Sequence, residues 1–153
     1  MGVAGAGKTT IGRALAHSLG WLFLEADDLH SEANRAKMAR GEGLTDLDRE
    51  PWLAAIEDLL DAHRGDSLVL ACSALKGRYR ARLARGRDLR LVYLEVPAAV
   101  LRDRLARRRG HYAGAALLPS QLAALETPGD ALRVDGTRPV AELVTMIRAA
   151  LGC

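Results

Sequence analysis

From Thr9 to Leu19 the apolar residues Ile11, Leu15, Ala16 and Leu19 recur at helical spacing, and the pattern stops at Gly20, a residue suited to ending a helix. The same period predicts helices over Trp52 to His63, where Pro51 stands near the start, over Pro97 to Arg109, over a short Ser120 to Leu125, and over Val140 to Leu151. Between them lie short apolar runs that read as strands: Trp21 to Glu25, Ser67 to Cys72, Leu89 to Leu94 and a weaker Ala131 to Val134. Strands and helices alternate, and two of the strands are nearly continuous Leu and Val runs. A parallel sheet covered by helices on both faces explains this alternation, and such a sheet binds ligands at the carboxyl ends of its strands.

Composition sharpens this picture. The chain has 153 residues, 49% of them hydrophobic and 27% charged, enough for one domain with its own core, residues 1–153. No apolar run approaches the ~18 residues of a membrane span, and the N-terminus lacks the order of a signal peptide, so a cytoplasmic protein without membrane contact is expected. Cys72 and Cys153 are too few for a disulfide framework and read as reduced thiols, Cys72 as a packing residue rather than a nucleophile.

The net charge of +3 is unevenly distributed. Residues 1–75 carry a net −5, residues 76–110 a net +9 and residues 111–153 a net −1, and 19 of the 22 basic residues are arginine. A basic block can bind nucleic acid, form a solvated helical face or neutralise a phosphorylated small molecule. Tyr79, Tyr93 and Tyr112 are the only aromatics from 76 to 112, which argues against stacking on nucleic-acid bases.

Four constellations carry chemistry. Gly2-Val3-Ala4-Gly5-Ala6-Gly7-Lys8-Thr9-Thr10 fits G-x-x-x-x-G-K-[ST] and runs directly into a predicted helix. In that pattern Gly2, Gly5, Ala6 and Gly7 let backbone N–H groups curl around phosphates, Lys8 reaches the β- and γ-phosphates, and Thr9, followed by Thr10, offers a hydroxyl to Mg²⁺. In Phe23-Leu24-Glu25-Ala26-Asp27-Asp28-Leu29-His30, Glu25 and Asp27 stand two apart at a strand end. One carboxylate can orient a Mg²⁺ shell through water while the other takes a proton from an attacking hydroxyl; the competing role for Asp27 or Asp28 is a helix cap. Ala71-Cys72-Ser73-Ala74-Leu75-Lys76 leaves a strand and brings Ser73 and Lys76 to the same sheet edge, as donors for a polyhydroxylated or carboxylated substrate. In Arg102 to Tyr112, Arg104 and Arg108 are four apart and share a helical face from which both can stabilise phosphoryl charge.

Together these segments resemble the gluconate kinases, P-loop small-molecule kinases related to shikimate kinase and the nucleoside monophosphate kinases. The resemblance rests on GVAGAGKTT, FLEADDLH, Asn34 with Lys37-Met38, Leu44 to Arg49 leading into Pro51-Trp52-Leu53, ACSALK with Tyr79-Arg80, and RLARRRGHY with Leu118, Ser120-Gln121 and Leu125-Glu126. It implies a three-layer α/β P-loop kinase fold, a parallel sheet flanked by helices, with a lid around 102–125. It also implies ATP-dependent phosphorylation of D-gluconate on its 6-hydroxyl, with Mg²⁺, in a homodimer without nucleic acid.

Carried over by position, Lys8 and Thr9 serve ATP and Mg²⁺, Glu25 joins the metal shell, Asp27 is the base, and Arg104 and Arg108 form the lid over the phosphates. His30, Lys37, Arg49, Ser73, Lys76 and Arg80 are the candidate substrate ligands, and Arg49 or Lys76 supplies the cation that a carboxylate requires. Asp135 to Pro139, with Arg138, lies where related kinases wrap the adenine. The chain departs from the family pattern at Ala26, Ser31, Gly43 and Tyr112, and after Glu126 it is a few residues shorter.

At the start, Met1 alone stands where the family has an apolar strand ahead of the phosphate loop. The expected fold therefore lacks its first strand, and agreement among the other motifs favours a start assigned one methionine late over an impaired polypeptide. Two rival functions remain at this level: a kinase for another small hydroxy acid such as shikimate, and a nucleotide-binding protein without catalysis.

Overall fold

The computed structural model describes residues 1–107 and 112–153. Within them the element order is α1 (Lys8–Leu19), β1 (Leu22–Glu25), a 3₁₀ turn (Ala26–Leu29), α2 (Glu32–Ala39), α3 (Asp46–Ala62), β2 (Leu68–Ala71), α4 (Gly77–Ala84), β3 (Val92–Glu95), α5 (Ala98–Arg107), α6 (Tyr112–Ala124), β4 (Leu132–Asp135) and α7 (Val140–Leu151). β1 pairs with β2 in parallel, Leu22 opposite Leu68 through Glu25 opposite Ala71. β3 pairs with β4, also in parallel, Val92 opposite Leu132 through Glu95 opposite Asp135.

The two strand pairs do not bond to each other among the described residues; Met1 stands beside β3, at the foot of the space between the pairs. Its amine donates to Val92 O, and its carbonyl accepts from Leu94 N at 3.0 Å, as one rung of a strand would. A groove of about 950 Å³, walled by residues including Ile11, Leu15, Val69, Leu91 and Ile147, lies between the two strand pairs. Burial lowers the pKa of the Met1 amine to about 5, with Lys8 adding to the effect.

Two apolar clusters hold the layers. One joins α1, α5, α6 and α7 to β3 and β4 through Ile11, Leu15, Leu94, Leu101, Leu105, Leu118, Val134, Leu143 and Ile147. The other joins α3 and α4 to β2 through Trp52, Leu53, Ile56, Leu60, Cys72, Tyr79 and Leu83. Leu53, Ile56, Leu101, Leu143 and Ile147 are almost wholly buried, and each such side chain contributes about 1.5–3 kcal/mol by leaving water. At Gly12 a Cβ would come within 2.8 Å of the Phe23 ring, so the glycine lets α1 lie close on β1.

Several element boundaries differ from the sequence expectation, for local reasons. α3 begins at Asp46 rather than Trp52 because Thr45 forms a capping box with Asp48, and Pro51 sits inside the helix instead of opening it. α6 spans Tyr112–Ala124 and contains Pro119, where only Ser120 to Leu125 was expected. α2 escaped the periodicity because Asn34 is its only buried residue; Ser31 starts it by accepting from Asn34 N at 3.2 Å. α4 buries only Tyr79 and Leu83 among arginines and alanines. Among the described residues no helix is long and apolar enough to cross a membrane.

Candidate active site

A cleft of about 240 Å³ opens between the phosphate loop, the turn after β1, the start of α3, the turn after β2 and α6. Gly7, at φ 95°, delivers the chain into α1; no side chain caps that helix and its first turn holds no acidic residue. The open N–H groups and the helix dipole make this end of the cleft an anion site. Lys8 lines it, with Nζ donating to Val3 O at 3.2 Å.

Thr9 Oγ1 donates to Glu25 Oε2 at 2.7 Å. Glu25 Oε1 is buried with no hydrogen-bond partner among the described residues. Asp27 stands two residues on, in the 3₁₀ turn, and faces the same cleft. Hydroxyl and carboxylate oxygens are the donors that Mg²⁺ prefers, and Mg²⁺ is ordinarily held by one or two protein groups plus substrate phosphates.

Elsewhere in the cleft wall, His30 stacks on Trp52 with ring centroids 4.7 Å apart and planes 7° from parallel. Trp52 is fixed in turn by its indole N–H, which donates to Ala26 O at 2.7 Å. Burial pulls the His30 pKa below its ordinary value; Arg49 and Arg35 act the same way, and Asp27 opposes them. His30 Nδ1 is buried without a partner among the described residues. Arg49 lines the cleft, braced by Nη1 donating to Leu44 O at 2.5 Å. Ser73 completes the wall just before Ala74, whose φ of 42° is the one positive value at a non-glycine among the described residues. Arg80 holds that turn by donating to Ala74 O and Leu75 O, each at 3.0 Å.

Other sequence candidates stand elsewhere. Lys37 is paired with Asp48 at 2.8 and 3.0 Å, which drops the Asp48 pKa to about 2 with help from Thr45. Lys76 is paired with Asp46 at 2.8 and 3.0 Å, and Arg78 and Tyr79 bond the same carboxylate. Arg104 donates to Gly5 O at 3.3 Å and Gly136 O at 2.8 Å, tying the phosphate loop to the loop after β4. Arg138 is exposed, 3.9 Å from Glu142. Arg108 lies outside the described residues.

The family model for shikimate kinase matches residues 4–120. A gluconokinase of Gluconobacter oxydans (strain 621H) is 50% identical over 97% of this chain and 87% of its own length. The thermoresistant gluconokinase of Escherichia coli (strain K12) is 40% identical over 94% and 86%. The chain belongs to the gluconokinases, within the shikimate kinase family. The crystal structure of a gluconokinase from Sinorhizobium meliloti 1021 superposes with TM-score 0.89 at 41% identity, over 99% of this chain and 89% of that one. An APS kinase of Mycobacterium tuberculosis, 20% identical with TM-score 0.73, shares the fold.

Within the gluconokinase segment Leu44 to Leu53, the work is divided by helical phase. Asp46 and Asp48 knit α3 to α4 and α2, while Arg49 and Trp52, three residues apart, turn into the cleft. In the sequence Trp52 stood within the segment that carries the family resemblance but had no individual role; the structure places it in the cleft wall under His30. Gln121 also lines the cleft and had no individual role in the sequence reading. Its partner is 117 positions away, a distance no local pattern reaches.

Proposed function

We propose that this chain transfers the γ-phosphoryl group of ATP to the 6-hydroxyl of D-gluconate, yielding 6-phospho-D-gluconate and ADP. The observation that carries the reading is the meeting of Lys8, Thr9, Asp27, Arg49 and Ser73 in one cleft beside an uncapped helix N-terminus. The phosphate loop binds the triphosphate through backbone N–H groups, with Lys8 on the β- and γ-phosphates. Thr9 and Glu25 would hold Mg²⁺, which would supply positive charge to the phosphates. Asp27 takes the proton of the attacking hydroxyl as the new O–P bond forms and the bond to the β-phosphate oxygen breaks, releasing ADP.

Arg49 supplies the cation for the gluconate carboxylate, and Ser73 and His30 meet its hydroxyls. Lys37, Lys76 and Arg80 serve this arrangement by bracing α2, α3 and the turn after β2. The reading includes a homodimer in the cytoplasm. ADP release measured over a panel of sugar acids, shikimate and nucleotides tests the assignment. Turnover is expected with gluconate; turnover with another acceptor and none with gluconate would overturn it.

A further inference from the structure

Ala4 lies in the phosphate loop, two residues after Gly2, and its N–H is already satisfied by a side chain from the other wall of the cleft: it donates to Gln121 Oε1 at 2.7 Å. Because a backbone N–H requires an acceptor, this contact settles which end of the Gln121 amide is oxygen, and it leaves Nε2 with two N–H groups. Among the described residues Nε2 makes no hydrogen bond, and Gln121 lines the cleft together with Lys8, Asp27, Arg49 and Ser73. The side chain is half-buried on α6 and belongs to the wall of the cleft.

The chemistry of a polyhydroxy acid fits this vacancy of donors. Arg49 answers a carboxylate and Asp27 accepts a hydroxyl proton, but hydroxyl oxygens also need neutral donors that add no charge near the reacting phosphoryl group. We propose that Gln121 is an acceptor-binding residue: Oε1 stays latched to Ala4 N while Nε2 donates to a hydroxyl oxygen of the sugar acid, registering the acceptor against the phosphate loop. The proposal rests on the gluconate kinase reading above. It also makes α6 a wall whose position depends on both substrates, since one amide touches the loop and the acceptor at once.

The test uses two substitutions in the full chain. Gln121→Glu keeps the length and an acceptor for Ala4 N but replaces the NH₂ by an oxygen; Gln121→Met keeps the bulk and removes both ends. KM for gluconate should rise threefold or more in Gln121→Glu, with the thermal midpoint close to wild type. A purely structural latch would instead leave Gln121→Glu like wild type and damage only Gln121→Met. A gluconate KM raised less than threefold in Gln121→Glu overturns the proposal. Should Gln121→Glu fail to fold, a gluconate KM raised less than threefold in Gln121→Met overturns it equally. Wild-type turnover of gluconate, measured alongside, reports separately on the substrate assignment; if another acceptor is the true one, the same comparison is made with it.

Discussion

Thr9 and Glu25 meet through a 2.7 Å hydrogen bond that links the first turn of α1 to the last residue of β1. The contact joins a helix N-terminus to a strand end, so the hydroxyl and the carboxylate are held together by two elements rather than by loop chemistry. The second oxygen of Glu25 has no protein partner among the described residues, which is the condition expected of a group waiting for a ligand.

Replacing Glu25 by Gln therefore raises the Mg²⁺ concentration needed for half-maximal activity by about 10–100-fold, the usual effect of losing a group that orients a metal. Nucleotide affinity without metal stays near wild type. A Mg²⁺ titration of the steady-state rate checks this, and an unchanged titration would remove Glu25 from the metal shell.

Asp27→Asn lowers kcat by about 10²–10⁴-fold if Asp27 is the base, because proton removal in the transition state is what the carboxylate contributes. ATP binding, measured by calorimetry, stays within a few-fold. A kcat near that of wild type would assign the proton to another acceptor.

The Asp46 carboxylate accepts from Arg78, Lys76 and Tyr79, and these bonds, Arg78 first, hold its pKa well below the usual carboxylate range. A depressed folded-state pKa means that the stabilisation is fully present above the unfolded value of about 3.9 and is lost as pH falls towards the folded one. The thermal midpoint of wild type should exceed that of Asp46→Asn at neutral pH, with the gap closing below about pH 4. A gap independent of pH would show that packing, not charge, is at stake.

His30 follows the opposite chemistry with the same sign. Burial favours its neutral form, so the unfolded chain takes up a proton near pH 6.5 before the folded one does, and stability falls as pH drops below that value. His30→Gln should flatten this part of the pH profile. Trp52→Phe keeps a stacked ring but removes the buried hydrogen bond to Ala26 O, at a cost of about 0.5–1.5 kcal/mol in urea unfolding.

Cys72 is buried and its thiol is pushed up to about 12, chiefly by burial, whereas Cys153 is exposed. Iodoacetamide at pH 8 should add a single label to the native chain, at Cys153, and a second only in denaturant. Peptide mass analysis distinguishes the two positions; native labelling of Cys72 would contradict its burial.

Much of this was legible along the chain. The phosphate loop, the helix behind it and the strands near Leu22, Leu68, Val92 and Leu132 are local: each depends on a period or a spacing within about ten residues, which the sequence states directly. α2 and α4 were not legible, because few of their residues are buried and an apolar stripe that narrow does not stand out. The start of α3 was misjudged because Pro51 resembles a first helical residue, while the true signal was the Thr45–Asp48 box six positions earlier.

The candidate site divides in the same way. Residue types alone pointed to an anion-binding loop, to oxygen donors at Glu25 and Asp27, and to cations suited to an acidic substrate. Which cations line the cleft depended on tertiary structure. Arg49 remains in the cleft, while Lys37 and Lys76 are drawn into pairs with Asp48 and Asp46, carboxylates 11 and 30 positions away. A charged side chain satisfies the nearest opposite charge, and which charge is nearest is decided by how helices pack; the bond between Ala4 and Gln121 is decided in the same way, across 117 residues.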